Sequence, residues 1–222
     1  MDSHGLLSKS IDKTLLEILR KECLNYLAEN INIINYSSEI ASYSKNISLI
    51  INDSLISKVS ELLNSKEFEI CAVELHVQRS NCRPIPPHQD NFYHCIDPRK
   101  GLKILIPLQK LSTFNGGLIY LDNEIDFPVL NHSASKIENF SAYIEEESFS
   151  KLKNKQTSYD LELGDSVFHF LNSIHFSLGN NSTTDSMFLV YRFQCNNSKI
   201  NKLAEKNYLE CYELHLQNLK EL

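Results

Sequence analysis

The chain has 222 residues, of which 42% are hydrophobic and 23% are charged, and its formal net charge is -6 at pH 7. This composition is typical of a globular protein, and the length suits one domain with a sizeable core. A mildly acidic chain without a basic cluster is a poor candidate for binding nucleic-acid phosphates or an anionic membrane surface. We therefore expect neither nucleic acid nor membrane as a partner.

The cysteines and the N-terminal segment bear on location. Six cysteines are scattered along the chain without a C-x-x-C pair, which argues against zinc ribbons and thioredoxin-like proteins. Reduced thiols in a cytosolic protein are the simplest interpretation. The opening residues, MDSHGLLSKSIDKTLLEILRK, are interrupted by charge throughout and contain neither a signal peptide's apolar region nor a membrane span. The sequence predicts a cytoplasmic protein.

Apolar residues recur at helical spacing in three segments. They predict helices over residues 10–30, 52–64 and 200–222, and either Ser10 or Asp12 is a suitable N-cap for the first. We expect residues 1–66 to form a helical N-terminal region and residues 197–222 to form a C-terminal helix. Together with the segment between them, they predict a single domain over residues 1–222.

Between these helical regions, residues 67–196 have the pattern of short strands. Turn signals rich in Pro, Gly and Asn occur at 84–87, 115–117 and 179–181, and such punctuation favours a β-barrel or jelly roll. The polar segment at about 128–157 is weakly patterned and predicts an insertion or lid. The predicted strands are Glu69–Val77, Leu102–Leu108, Gly117–Leu121, Asp165–Leu171, Ile174–Leu178 and Met187–Phe193.

The segment PHQDNFY, residues 87–93, contains the most informative motif. His88 and Asp90 are two apart, so on a strand both side chains point to one face and can bind one metal. The best third ligand is His175, which ends the segment GDSVFHFLNSIH (164–175). Two histidines and one carboxylate leave three octahedral positions open, which suits Fe(II) that must bind a co-substrate and O2. An isolated H-x-D is weak evidence, and the order of the surrounding segments strengthens it.

Three segments together resemble the phytanoyl-CoA dioxygenase-like family of Fe(II)/2-oxoglutarate-dependent oxygenases. They are HQDNFYH (88–94), GLKILIPLQKLSTFNGGLIYL (101–121) and GDSVFHFLNSIHFSLGNNS (164–182), and the resemblance covers roughly residues 68 to 195. It implies a mainly β fold with flanking helices around a double-stranded β-helix, a cupin-like jelly roll. It implies Fe(II), 2-oxoglutarate and O2 as cofactor and co-substrates. It assigns His88, Asp90 and His175 as catalytic metal ligands, and Asn180 matches the family's recurrent Asn after the distal His.

The resemblance fails at the residue that anchors 2-oxoglutarate. The family usually has an Arg eleven residues after the distal histidine, where this chain has Ser186. Arg192 lies six residues further along the strand, roughly 20 Å away, and cannot simply replace that Arg. Lys103 is our candidate, because related asparaginyl hydroxylases and Jumonji-type oxygenases use a Lys on the corresponding strand. Ser186 and Arg192 remain possible helpers, and the alternative is that Lys103 is exposed at the start of its strand.

Other histidines have alternative interpretations. His169 lies six residues before His175, so it is either a rival ligand, a residue supporting the ligands or, as we favour, a packed side chain of the barrel wall. His76 is expected to be structural or to line the pocket, and His94 is close enough to the first motif to face a substrate.

The resemblance predicts hydroxylation of an unactivated C–H bond in a small-molecule metabolite, with release of succinate and CO2. Two alternatives remain open. One is a cupin-like non-haem Fe(II) oxidase or oxygenase that does not use 2-oxoglutarate, which the Ser at position 186 supports. The other is a barrel that binds a ligand without catalysis, against which the complete His88, Asp90 and His175 set argues.

Overall fold

The computed structural model describes residues 2–152 and 154–221. The α-helices are α1 (Lys13–Glu29), α2 (Ile40–Tyr43), α3 (Asp53–Leu63), α4 (Asp90–His94), α5 (Glu146–Ser150) and α6 (Lys202–Lys220), and a 3-10 helix covers Lys45–Ile50. The first seven strands are β1 (His4–Leu7), β2 (Tyr36–Ser37), β3 (Phe68–Gln78), β4 (Ile85–Gln89), β5 (Ile96–Asp97), β6 (Gly101–Pro107) and β7 (Leu118–Leu121). They are followed by β8 (His132–Ile137), β9 (Phe140–Ile144), β10 (Gln156–Ser158), β11 (Ser166–Phe170), β12 (Ile174–Ser177), β13 (Ser186–Cys195) and β14 (Lys199–Ile200).

The three predicted long helices are present, and side chains cap each of them. The Asp12 carboxylate accepts a hydrogen bond from the Leu15 backbone N–H at 2.8 Å, and Asn52 does the same for Leu55 at 2.9 Å. Asn201 accepts from the N–H groups at the start of α6. These caps satisfy backbone donors that have no partner within the helix, and so they fix where each helix begins. None of the helices in the described part of the chain is both long and apolar enough for a membrane span.

Two antiparallel sheets form the double-stranded β-helix. The larger sheet has the order β1-β11-β6-β13-β3-β2, and the smaller has the order β10-β7-β12-β4. Neighbours in both sheets are far apart in sequence, as β6 between β11 and β13 illustrates. This confirms the jelly-roll architecture that the resemblance predicted, with helices flanking a strand-rich core.

The larger sheet divides its side chains between two environments, because successive residues of a strand point to opposite faces. On one face, Leu102, Ile104 and Tyr191 pack in the main core with Leu16 and Leu19 of α1. The opposite face of β6 and β13 points into the barrel. There a smaller buried cluster contains Leu105, Leu111, Tyr120, Leu161, Val167, Phe188 and Val190.

Two expectations about local structure need correction. Residues 85–89 form strand β4, although the Pro-rich 84–87 segment predicted a turn. β4 lies at the edge of the smaller sheet, where a Pro that lacks an N–H costs little pairing. The segment at 128–157 is also more ordered than its weak pattern indicated, because it contains the β8–β9 hairpin, and β10 within it joins the smaller sheet.

Both strands of the β8–β9 hairpin pack against the C-terminal helix α6. On α6, the Nδ1 atom of His215 lies 2.7 Å from the backbone oxygen of Ser135 on β8. β1 was not predicted at all. It extends the edge of the larger sheet by pairing with β11, and this pairing places His4 opposite His169.

Candidate metal centre

The three predicted metal ligands come from adjacent elements of the smaller sheet. His88 on β4 is paired directly with His175 on β12. Asp90 is the first residue of α4, so the spacing of two spans a strand–helix junction and does not lie within one strand as expected. The ligand atoms of the three residues nevertheless lie within 4.8 Å of one another. All three side chains are buried.

Both histidines present the nitrogen that a metal requires. His88 Nδ1 lies 2.9 Å from the Pro86 carbonyl oxygen, and His175 Nδ1 lies 3.0 Å from the Ser173 carbonyl oxygen. A carbonyl only accepts, so each Nδ1 carries the hydrogen and each Nε2 keeps a free lone pair. Burial lowers the pKa of each ring to about 3 and outweighs the Asp90 charge, which raises it. Neutral rings oriented by backbone carbonyls are the usual arrangement of metal-binding histidines.

Asp90 is held in its charged form by two donors. Lys103 Nζ donates to Oδ1 at 2.7 Å, and His169 Nε2 donates to Oδ2 at 3.1 Å. Burial opposes ionisation, but the Lys103 charge, the His169 hydrogen bond and the His175 ring outweigh it and hold the pKa of Asp90 well below its usual range. Each oxygen retains a lone pair for a cation, and the donor set of two imidazoles and one carboxylate therefore fits a divalent metal.

The site clarifies the interpretations of His169 and Lys103. His169 is not a member of the three-ligand group in the described residues; it orients the Asp90 carboxylate from β11. Lys103 points into the barrel, and its side chain is only 13% exposed. Its contact with Asp90 was not foreseen from the sequence, because nothing in the chain order places β6 beside α4.

Arg192 lies beside Lys103 and not beside Ser186. The register of β13 and β6 pairs Arg192 directly with Lys103, so the two cations occupy the same level of the barrel. Among the described residues, no side chain or backbone group forms a hydrogen bond with Arg192 Nε or with His94 Nε2, although both atoms are buried. The His94 pKa falls to about 3 through burial and the nearby Lys103 charge.

Ser186 and Asn180 lie away from this cationic level. Ser186 is fully buried at the other end of β13, paired with Gln78, and its hydroxyl has no partner among the described residues. Asn180 donates to the backbone oxygens of Gln78 and Thr184, both at 2.8 Å, and accepts from Ser182. These bonds use both amide hydrogens to fix the loop after β12, and they leave none for a co-substrate.

The hairpin and α4 provide an aromatic rim that the sequence did not reveal. The Phe140 ring on β9 lies 5.0 Å from the His88 ring, and the Tyr93 ring lies 6.0 Å from it. His132 of β8 stacks on Phe92 at 4.2 Å. The hairpin contacts join segments that are distant in sequence, as the Gln89 N–H bond to His132 Nε2, 43 residues away, shows. No periodic pattern in 128–157 could have indicated them.

The fold is shared with solved structures of oxygenases. The non-heme alpha ketoglutarate dependent carbocyclase SnoK, from nogalamycin biosynthesis, has a TM-score of 0.73 and 13% identity, covering 90% of this chain and 82% of its own. EvdO2 from Micromonospora carbonacea var. aurantiaca, complexed with 2-oxoglutarate, has a TM-score of 0.72 and 17% identity, covering 90% and 89%. EctD from S. alaskensis, with 2-oxoglutarate and 5-hydroxyectoine, has a TM-score of 0.72 and 18% identity, covering 90% and 74%. No protein-family model and no curated protein matches this sequence.

Proposed function

We propose that this chain is an Fe(II)- and 2-oxoglutarate-dependent oxygenase that oxidises a C–H bond of a small molecule. One observation carries the proposal: His88 and His175 are fixed by backbone carbonyls with Nε2 free, beside a charged Asp90. Two histidines and a carboxylate with open positions are the ligand set of non-haem Fe(II) oxygenases. The fold is also that of proteins whose structures contain 2-oxoglutarate.

The roles of the residues follow from these contacts. His88 Nε2, His175 Nε2 and a carboxylate oxygen of Asp90 hold the iron. When bound, iron with 2-oxoglutarate and O2 supplies the oxidising chemistry, and succinate and CO2 are released. Lys103, with Arg192 beside it, stabilises the co-substrate carboxylate that the metal does not neutralise, because a buried charge without a partner is costly. His169 keeps Asp90 oriented throughout.

The finer assignments belong to the same proposal. We place the chain in the phytanoyl-CoA dioxygenase-like branch on the three matching segments, and we propose hydroxylation as the outcome. The similar structures include a carbocyclase, so the fold accommodates more than one oxidative outcome. We also propose that residues 1–222 work as one oxygenase domain in the cytoplasm, which agrees with free thiols at all six cysteines.

A second candidate is a cupin-like Fe(II) oxidase that does not use 2-oxoglutarate. It is favoured by Ser186, which stands where the family has its anchoring Arg, and by Phe188 and Val190, which fill the same face of β13 with buried apolar groups. Under this proposal Lys103 serves only to keep Asp90 charged.

The experiment loads the protein with Fe(II) under anaerobic conditions and then adds O2 with and without 2-oxoglutarate. Production of succinate that depends on both iron and 2-oxoglutarate supports the main proposal. Oxygen uptake without 2-oxoglutarate consumption supports the oxidase, and failure to retain iron supports a non-catalytic barrel. A zinc-loaded sample is the control. Activity with zinc but not iron would end both iron proposals, because zinc cannot change its oxidation state.

A further inference from the structure

A tyrosine is hydrogen-bonded to the histidine that orients Asp90. The Tyr120 hydroxyl lies 3.3 Å from His169 Nδ1, while His169 Nε2 lies 3.1 Å from Asp90 Oδ2. A carboxylate only accepts, so Nε2 carries the ring hydrogen and Nδ1 is free to accept. The Tyr120 O–H therefore donates to a basic nitrogen, although the tyrosine is almost fully buried.

The same arrangement is repeated nearer the surface. The Tyr159 hydroxyl lies 2.9 Å from His4 Nδ1, and His4 Nε2 faces Asp122 Oδ1 at 3.2 Å. His4 Nε2 forms no hydrogen bond among the described residues, but the Asp122 charge beside it favours the hydrogen on Nε2, so Nδ1 is free to accept from the Tyr159 O–H. Tyr159 follows β10 and is partly exposed. The molecule thus contains two Tyr–His–Asp groups in series.

The two groups touch each other and the metal centre. The Tyr120 ring lies 5.9 Å from the His175 ring and 6.0 Å from the Tyr159 ring. His4 stacks on Tyr120 at 4.8 Å. β1 makes this stack possible, because it pairs His4 with His169 at the edge of the larger sheet. A continuous series of aromatic rings therefore runs from a metal ligand to the surface.

A hydrogen-bonded base is what a buried tyrosine needs in order to lose an electron. Removal of one electron makes the phenol strongly acidic, and a charged ring inside the protein is costly. A nitrogen already bonded to the hydroxyl accepts the proton over a short distance, so the ring stays neutral. We propose that Tyr120 and Tyr159 form a two-step path that carries single oxidising equivalents from the metal centre to the surface.

This path rests on the proposed function, since iron held by His88, Asp90 and His175 would supply, with O2, the oxidant that draws an electron from Tyr120. In the first step, Tyr120 gives one electron to the metal centre and its proton to His169 Nδ1. In the second, Tyr159 gives one electron to the Tyr120 radical and its proton to His4 Nδ1, while the first proton returns to Tyr120. A soluble reductant of the ascorbate or thiol class then reduces the Tyr159 radical, and the proton on His4 returns to Tyr159. In net terms, each pass moves one electron from that reductant to the metal centre and releases the reductant's proton to solvent.

The test is rapid freezing of the Fe(II) protein after mixing with 2-oxoglutarate and O2, without a primary substrate. Electron paramagnetic resonance detects tyrosyl radicals, and succinate is quantified in the same samples. We expect a radical in the wild type and none in Tyr120→Phe. In Tyr159→Phe the radical remains on Tyr120, and ascorbate removes it more slowly. The control is Tyr43→Phe, an exposed tyrosine on α2, which should match the wild type.

Two outcomes overturn the path: succinate formation with no tyrosyl radical, or a radical unchanged in Tyr120→Phe. Absence of succinate instead counts against the proposed function. In that case hydrogen peroxide added to the Fe(II) protein supplies the oxidant, and the same variants decide the path. If Tyr120→Phe does not fold, His4→Phe replaces it, because it keeps a ring against Tyr120 but removes the base of Tyr159. The Tyr120 radical should then persist as in Tyr159→Phe, and ascorbate reduction at the wild-type rate would contradict the path.

Discussion

The two ends of the barrel interior differ sharply, although the same strands build both. At the metal end, the inward positions are charged or hydrogen-bonding, and at the deep end near Ser186 they are apolar. The metal end has Lys103, His169 and Arg192, and the deep end has Leu105, Val167, Phe188 and Val190.

This contrast indicates where an anionic co-substrate can be stabilised. Lys103 and Arg192 provide positive charge next to the ligands, whereas the inward positions that follow Ser186 on β13 are the apolar Phe188 and Val190. A carboxylate at the deep end would lose its hydration without gaining a partner, at a cost of several kcal/mol. An anionic co-substrate would therefore be better stabilised beside Lys103 on β6 than beside Ser186 on β13.

Removal of a metal ligand should have the largest effect on the metal end. His88→Ala, Asp90→Ala and His175→Ala should each lose Fe(II) binding and activity, because each leaves only two ligands. Metal content after anaerobic loading and desalting measures this. His76→Ala is the matched control, since His76 lies on β3 opposite Phe188 and outside the three-ligand group. Retention of iron and full activity in His175→Ala would move the third ligand to His169.

Placing a cation at the deep end should make both ends of the barrel interior charged, and it should lower the free energy of unfolding. Ser186→Arg introduces the Arg that the resembled family has at this position, but it buries a charge among apolar side chains. We expect the free energy of unfolding to fall by roughly 3–5 kcal/mol, measured by urea denaturation. Ser186→Ala should be nearly neutral, because the hydroxyl has no partner to lose. A stable Ser186→Arg protein with tighter 2-oxoglutarate binding would show that the deep end holds the co-substrate.

Removing the cation at the metal end should reduce the contrast. Lys103→Ala should raise the KM for 2-oxoglutarate, with a loss of roughly 2–4 kcal/mol in kcat/KM terms, because it leaves a buried carboxylate without a partner. Lys103→Arg should rescue poorly, since its planar fork does not replace a compact ammonium.

Because Lys103 is hydrogen-bonded to Asp90, the Kd for iron must be measured separately in these variants. We expect 2-oxoglutarate binding to change more than iron binding. Lys110→Ala is the control, because Lys110 is exposed and paired with Glu162. An unchanged KM in Lys103→Ala would favour the oxidase that needs no 2-oxoglutarate.

A further prediction concerns the pH dependence of the metal-free protein. His88, His94 and His175 have pKa values of about 3 in the folded chain, against 6.5 when unfolded. The unfolded chain therefore binds more protons below pH 6.5, so stability falls as pH decreases from 7 toward 4, by up to about 1.4 kcal/mol per pH unit for each ring. Urea midpoints measure this slope, and His94→Gln should reduce it. Equal midpoints at pH 7 and pH 4 would contradict neutral buried rings.

Much of the fold was predictable because it depends on local patterns. The α1 and α3 helices follow from apolar spacing and from caps at Asp12 and Asn52, which act within one turn. Strand β6 follows from its short apolar run, and a Lys inside a run that is apolar on both faces predicts a buried cation that needs an anion. The same reasoning failed for β4, since its prolines predict a turn unless the strand is known to lie at an edge.

The sequence alone determined the types and the order of the candidate ligands and the Ser at position 186, because residue identity and spacing are properties of the chain. Only the tertiary structure decided that Arg192 lies beside Lys103, that His169 orients Asp90 and that His4 reaches Tyr120. These contacts depend on the register between strands that are distant in sequence, and that register is set by how all the strands of the barrel pair and pack. A hydrogen bond or charge pair at such a distance leaves no periodic trace in one sequence, so it becomes visible only when the strands are side by side.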